Sequence, residues 1–208
     1  MCGIFCYCGY NISKNKLEEQ FNKIKHRGPD KSTFCQINND TYFGFHRLSI
    51  NGSDIKSNQP MELNNCFLIC NGEIYNSSKL VKENKFNMLG SSDCEVILHL
   101  YSKYGILKTI ELLDAEFAFV LHDKNKNITY FARDHLGVRP LFIGRIDSGY
   151  MFASEVKALT LCDDVRQFLP GCYGSSTDFK EIPYYCFKKT NLINAITLVD
   201  DKREQILL

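Results

Sequence analysis

The chain has 208 residues, 44% hydrophobic and 24% charged, with a formal net charge of +1 at pH 7. That length supports a sizeable core, and a charge so close to zero excludes the basic field that gathers nucleic acid or an anionic membrane. No apolar run reaches transmembrane length, and the N-terminus lacks the basic segment and apolar stretch of a signal peptide, so a cytoplasmic protein is expected.

Taken in chain order, "GIFCYCG" alternates, with Phe5 and Tyr7 on one face of a strand and Ile4, Cys6 and Cys8 on the other. "LEEQFNKIK" places Leu17, Phe21 and Ile24 at helical spacing. "TYFGFHRLSI" reads as a strand running into a polar loop, and "CFLIC" as a buried strand ending at "NGEIYN", where Asn-Gly signals a turn. "SSDCEVILHLYSKYG" predicts a helix with Ser92 and Glu95 as a capping box, an apolar stripe of Val96, Ile97, Leu100 and Tyr104, and Gly105 at its end. "EFAFVLHD" and "ITYFARD" flank a polar loop as a hairpin, "RPLFIG" and "GYMFAS" suggest two further strands, "SEVKAL" a short helix, and "YYCF" a last strand. Antiparallel strands with a few covering helices indicate an α+β fold.

Cysteines stand at positions 2, 6, 8, 35, 66, 70, 94, 162, 172 and 186, with no C-x-x-C pair and no zinc spacing. In a reducing compartment most are expected to be free thiols packed as small hydrophobes. Cys2 differs, because chain ends are poorly ordered and an odd place for a core thiol. Once the initiator methionine is trimmed, Cys2 carries a thiol and a free α-amine. An α-amine titrating near 7.7–8.0 is partly neutral at physiological pH and can serve as the base a thiol nucleophile needs. The plain alternative is a strand-end thiol.

Three other stretches offer matching chemistry, each with a bland alternative. In "NGE", the Asn71 amide and the Gly72 N–H can meet a developing oxyanion, or form a simple Asn-Gly turn. Arg47 of "HRLSI" can grip a carboxylate in bidentate fashion, or make a surface ion pair. Asp93 can complement the dipole of its helix, or bind a substrate ammonium.

"MCGIF", "HRGPD" (26–30), "FGFHRLSI" (43–50), "NQPM" (58–61), "NGEIYN" (71–76), "SDCEVI" (92–97), "RDHLGVRPLF" (133–142) and "ASEVKAL" (153–159) occur in one order at suitable spacing. Together they resemble the glutaminase domain of glutamine-dependent asparagine synthetases, a class II glutamine amidotransferase of the N-terminal nucleophile hydrolase superfamily. The resemblance covers roughly residues 1–187 and leaves 188–208 as an extension of unknown role. It implies a four-layer αββα sandwich of two antiparallel sheets, and hydrolysis of L-glutamine to L-glutamate and ammonia through a thioester. It further implies Cys2 as nucleophile, Asn71 and Gly72 as oxyanion hole, and Arg47 as the clamp for the glutamine α-carboxylate. The backbone from Leu48 through Ser49 and Ile50 to Asn51 would lie along the pocket, with Glu73 and Asp93 meeting the α-amino group. His26, Arg27 and Asp30 are expected to be structural, Arg133, Asp134 and Arg139 to form a buried polar network, and Cys6, Cys8 and Cys94 to pack.

The resemblance stops short of a synthetase domain. No Ser-Gly-Gly-x-Asp-Ser loop or other phosphate-cradling glycine cluster occurs. No cofactor or metal is therefore expected in this chain. ATP and magnesium would belong to a synthetase domain, and the chain alone should make no asparagine. A separate ATP-dependent synthetase subunit and a homodimer are the partners left open. The competing readings are a non-catalytic glutamine-binding module and an amidase for another γ-glutamyl amide.

Overall fold

The computed structural model describes residues 1–50, 54–147 and 149–185. Its strands form two six-stranded sheets, both antiparallel throughout. The first holds β1 (Gly3–Gly9), β2 (Lys31–Gln36), β3 (Thr41–Arg47), β8 (Phe142–Ile146), β9 (Gly149–Ala153) and β10 (Asp164–Gln167), in the order β10-β8-β9-β1-β3-β2. The second holds β4 (Met61–Leu63), β5 (Cys66–Ile74), β6 (Ala115–Asp123), β7 (Ile128–Arg133), β11 (Cys172–Ser175) and β12 (Ile182–Pro183), in the order β12-β11-β7-β6-β5-β4.

The alternation in β1 decides how the layers stack. Ile4, Cys6 and Cys8 face inward and share a core with Phe43 and Phe45 of β3 and with Ile69, Ala118, Val120 and Phe131 of the second sheet. Phe5 and Tyr7 face outward onto Leu17 and Phe21 of α1 (Lys14–Asn22) and onto Ile24. The outer face of the second sheet packs Leu68, Phe117, Phe119 and Leu121 against α2 (Ser77–Asn84) and α3 (Val96–Leu112). Each such buried aliphatic or aromatic side chain contributes about 1.5–3 kcal/mol. The result is the αββα sandwich implied by the resemblance.

Several local expectations are corrected. Asn71 and Gly72 are not a turn. β5 runs on through Ile74 in register with β6, from Cys66↔Asp123 to Ile74↔Ala115, because that nine-pair ladder outweighs the local turn preference of Asn-Gly. The capping box is not formed. Ser92 precedes a 3₁₀ turn (Asp93–Glu95) and makes no side-chain cap, while Glu95 accepts from the N–H groups of Leu89 (2.6 Å) and Gly90 (2.8 Å). Gly105 (φ 75°) bends the chain, but helix resumes to Leu112. Tyr104 leaves the apolar stripe and donates to Asn84 Oδ1 at 2.6 Å. The last strand is Ile182–Pro183 rather than "YYCF", whose residues 186 and 187 lie outside the described residues, as does the extension 188–208.

Candidate active site

β1 begins and β3 ends at the same edge of the first sheet, with Gly3 opposite His46. This brings Cys2 beside the chain leaving β3. The Leu48 N–H donates to Cys2 Sγ at 3.4 Å, and Sγ donates to the Leu48 carbonyl at 3.5 Å. Arg27 Nε donates to the Cys2 carbonyl (2.9 Å) and is anchored by Glu155 at 3.1 Å. Asp30 accepts the Ser49 N–H at 2.7 Å. A Cβ at Gly28 would meet the His46 carbonyl oxygen at 2.2 Å, so the "HRGPD" turn packs directly on the β3 backbone. Burial pushes the Cys2 thiol above the ordinary thiol range, opposed by the Leu48 hydrogen bond, the N-terminal ammonium and Arg47. While Met1 is present, that ammonium belongs to Met1.

Cys2 opens into a cavity whose walls include Arg47, Leu48, Ile50, Asn71, Gly72, Glu73 and Asp93. Arg47 is buried, donates through Nη1 to Asn58 Oδ1 (2.6 Å) and to the Asp54 carbonyl (3.4 Å), and makes no ion pair among the described residues. Its Nη2 is buried without a partner, and so is Asn71 Nδ2. Orphaned buried donors are rare. Here three of them, Arg139 Nε included, belong to residues that line one cavity with a thiol.

Gly72 adds a backbone donor. Phe117, opposite it, exchanges its backbone hydrogen bonds with Asp134, Phe117 N–H to Oδ2 (3.2 Å) and Asp134 N–H to the Phe117 carbonyl (2.8 Å). In an antiparallel ladder that makes Gly72↔Phe117 a non-hydrogen-bonded pair, with the Gly72 N–H turned to the other side of β5. A Cβ at Gly72 would meet the Glu116 carbonyl oxygen at 2.6 Å, so only glycine fits this approach.

Asp93 lines the cavity and accepts the Ile74 N–H through Oδ2 at 2.6 Å. Ser49 is not part of the cavity wall, and Asn51 lies outside the described residues. Sequence reasoning gave no role to Gln59, whose side chain clasps the Cys70 backbone with Cys70 N–H donating to Oε1 (2.5 Å) and Nε2 donating to the Cys70 carbonyl (3.0 Å). The motif "NQPM" carries no local signal for this contact, which only the fold creates. Arg139 was expected in a buried network. Its backbone does serve Asp134 (3.0 Å), but its guanidinium pairs with Glu116 and borders the cavity. Arg133 and Asp134 do form that network. Arg133 donates to the carbonyls of Arg139, Phe168 and Gly137 at 2.7–2.8 Å, and Asp134 collects the N–H groups of Leu136 and Val138. Cys94 also borders the cavity, where hydrogen bonding with Cys70 and burial push its thiol well up, which suits a packing residue.

Two packed antiparallel sheets between helices, with a thiol at the start of an inner strand, give the chain the fold of the N-terminal nucleophile hydrolases. The fold is shared with glutamine phosphoribosylpyrophosphate amidotransferase from B. subtilis, at a TM-score of 0.76 and 22% identity over 89% of this chain and 50% of that one. Residues 1–170 match the glutamine amidotransferase domain family, and the chain belongs to it. Similar proteins include a probable glutamine-hydrolysing asparagine synthetase of Acanthamoeba polyphaga mimivirus, 39% identical over 183 residues. The glutamine-hydrolysing asparagine synthetases of Gallus gallus and Homo sapiens are 39% and 38% identical over 186 residues. Each alignment spans 83% of this chain and 33% of the relative, so the chain covers about a third of the length of these curated relatives.

Proposed function

We propose that this domain hydrolyses L-glutamine to L-glutamate and ammonia through a γ-glutamyl thioester on Cys2. The observation that carries the reading is the pair of orphaned donors, Arg47 Nη2 and Asn71 Nδ2, lining one cavity with the Cys2 thiol. Glutamine is a zwitterion with a neutral amide at its far end. Arg47 meets the α-carboxylate, and Glu73 and Asp93 meet the α-ammonium. The amide carbon then lies toward Cys2. With Met1 removed, the Cys2 α-amine takes the thiol proton as Sγ bonds to the amide carbon. Asn71 Nδ2 and the Gly72 N–H hold the oxyanion. Collapse breaks the C–N bond, and ammonia leaves with the proton returned by the α-ammonium. Water, deprotonated by the same amine, attacks the thioester carbon; the C–S bond breaks, glutamate leaves, and the Cys2 thiolate takes back the proton from the α-ammonium. Every step uses groups of this chain and needs no cofactor.

We further infer that the ammonia serves an asparagine-synthetase-type acceptor reaction, on a linked or separate synthetase domain where ATP and magnesium would act. The names of the relatives support this. Free thiols at the nine described cysteines suit a reducing compartment, and we place the reaction in the cytoplasm. No helix among the described residues is long and apolar enough to cross a membrane. The test is product analysis with glutamine and purified protein, its N-terminus checked by mass. Glutamate and ammonia in equal amounts are expected, along with labelling of Cys2 by a diazo-ketone glutamine analogue. Neither product nor label would end the proposal.

A further inference from the structure

We propose that Asp54 is a positioning residue that sets the span between Arg47 and Asp93, two of the charged grips on glutamine; the inference rests on the glutamine reading above. The grips stand on different segments. Arg47 is steadied by the segment after the loop, donating through Nη1 to the Asp54 carbonyl and to Asn58 Oδ1. Asp93 follows Ser91 and Ser92 on the chain entering α3. Asp54 ties the two together. Its Oδ1 accepts the Ser57 N–H at 2.9 Å. Its Oδ2 accepts the Ser57 hydroxyl (2.9 Å), the Ser91 N–H (3.0 Å) and the Ser91 hydroxyl.

Among the described residues, every hydrogen bond joining 54–58 to 90–93 involves Ser91, the remaining two being its N–H donating to Ser57 Oγ at 3.2 Å and a 3.5 Å bond between the two hydroxyls. The segments are also pressed close. A Cβ at Gly90 would lie 3.2 Å from the Lys56 carbonyl carbon and 3.3 Å from Asp54 Oδ1. The hydroxyls of Ser91 and Ser57 hold the Asp54 carboxyl far below the usual carboxylate range, so the tie stays closed throughout the physiological pH range. A zwitterion gripped at both ends is sensitive to this span. A ligand gripped at one end is not.

The experiment compares glutamine with 5-amino-5-oxopentanoate, the same amide without the α-ammonium, on wild type and Asp54→Ala. For glutamine, KM should rise about tenfold while kcat falls less than about threefold. For the analogue, KM should stay within about twofold of wild type. Ser91→Ala should shift the glutamine KM in the same direction by less, since its N–H remains. The double variant should be no worse than Asp54→Ala, as expected of two ends of one tie. If Asp54→Ala does not fold, the Ser91→Ala comparison with both amides decides. An unchanged glutamine KM in active enzyme, or equal weakening of both amides, overturns the role of Asp54 alone. A wild type that hydrolyses no glutamine overturns the glutamine reading, and this inference with it.

Discussion

Asn71→Ala separates a catalytic donor from a structural one, because the two predict different changes in stability. Asn71 is 2% exposed, and its Nδ2 has no partner. In the free enzyme that donor costs about 1–3 kcal/mol of unrecovered desolvation. Replacing it with alanine removes the cost and forfeits some packing, two terms of similar size and opposite sign. Folding stability should therefore change by less than about 1 kcal/mol. In the transition state the same donor faces an oxyanion, and losing one such donor raises the barrier by about 2.7–4 kcal/mol. At 1.36 kcal/mol per decade, kcat should fall about 100- to 900-fold. KM should move little, since the amide oxygen carries no full charge before attack. The assay is steady-state glutamate release beside a denaturant melt of the same preparation. Wild-type kcat, or a loss of several kcal/mol of stability, would refute the reasoning and make Asn71 a structural residue.

Active protein should lack Met1 by intact mass, because the Met1 amine displaces the base from Cys2; full activity in a Met1-bearing species would exclude the α-amine as base. Cys2→Ala should abolish turnover yet still bind glutamine by calorimetry, and retained activity would mean that another group is the nucleophile. Arg47→Ala should raise the glutamine KM by about 30-fold or more with a smaller change in kcat, since the carboxylate grip exists before and during reaction; a pure kcat effect would contradict the clamp. Burial raises the Cys2 thiol in the Met1-bearing form, so the folded state holds this proton more tightly than the unfolded chain. Its contribution to stability is present below the unfolded thiol value and is lost as pH rises through the folded one. Alkylation of Cys2 in that form should accordingly need a more alkaline buffer than in the unfolded chain, and the same pH dependence in both states would show that burial does not control it.

Chain patterns carried as far as local physics controls the outcome. The alternation of Ile4, Cys6 and Cys8 against Phe5 and Tyr7 is a property of strand geometry, and it reappears as the two faces of β1. The hairpin of β6 and β7 was legible for the same reason. The short strands β4, β10 and β11 were not, because three or four residues carry too little periodicity and take their form from the neighbour they pair with. In the site, Cys2, Arg47, Asn71 and Asp93 were legible from residue type and the resemblance of their motifs. Gln59 and Asp54 were not, since their roles depend on meeting Cys70 and Ser91 across 11 and 37 residues of chain. Asn71 and Gly72 show both sides at once. The chemistry of "NGE" was visible, but its turn propensity misled, because a nine-pair ladder is a tertiary quantity.

That ladder also explains why the Gly72 N–H meets no neighbouring strand. β4 is only three residues long and its pairing with β5 ends at Met61↔Leu68. From Cys70 onward the backbone groups of β5 that point away from β6 have no strand to meet, and an exposed strand edge inside a core would be costly. The fold closes this edge piecemeal with side chains. Gln59 takes both backbone groups of Cys70, and Asp93 takes the N–H of Ile74. Between them lies Gly72, whose carbonyl accepts the Cys94 thiol at 3.7 Å while its N–H is left beside the orphaned amide of Asn71. A longer β4 would satisfy that N–H and remove the donor. A bulkier residue at 72 would collide with the backbone of Glu116. The donor proposed for the oxyanion is thus a gap left in a strand edge that side chains otherwise close, and it follows from where β4 stops.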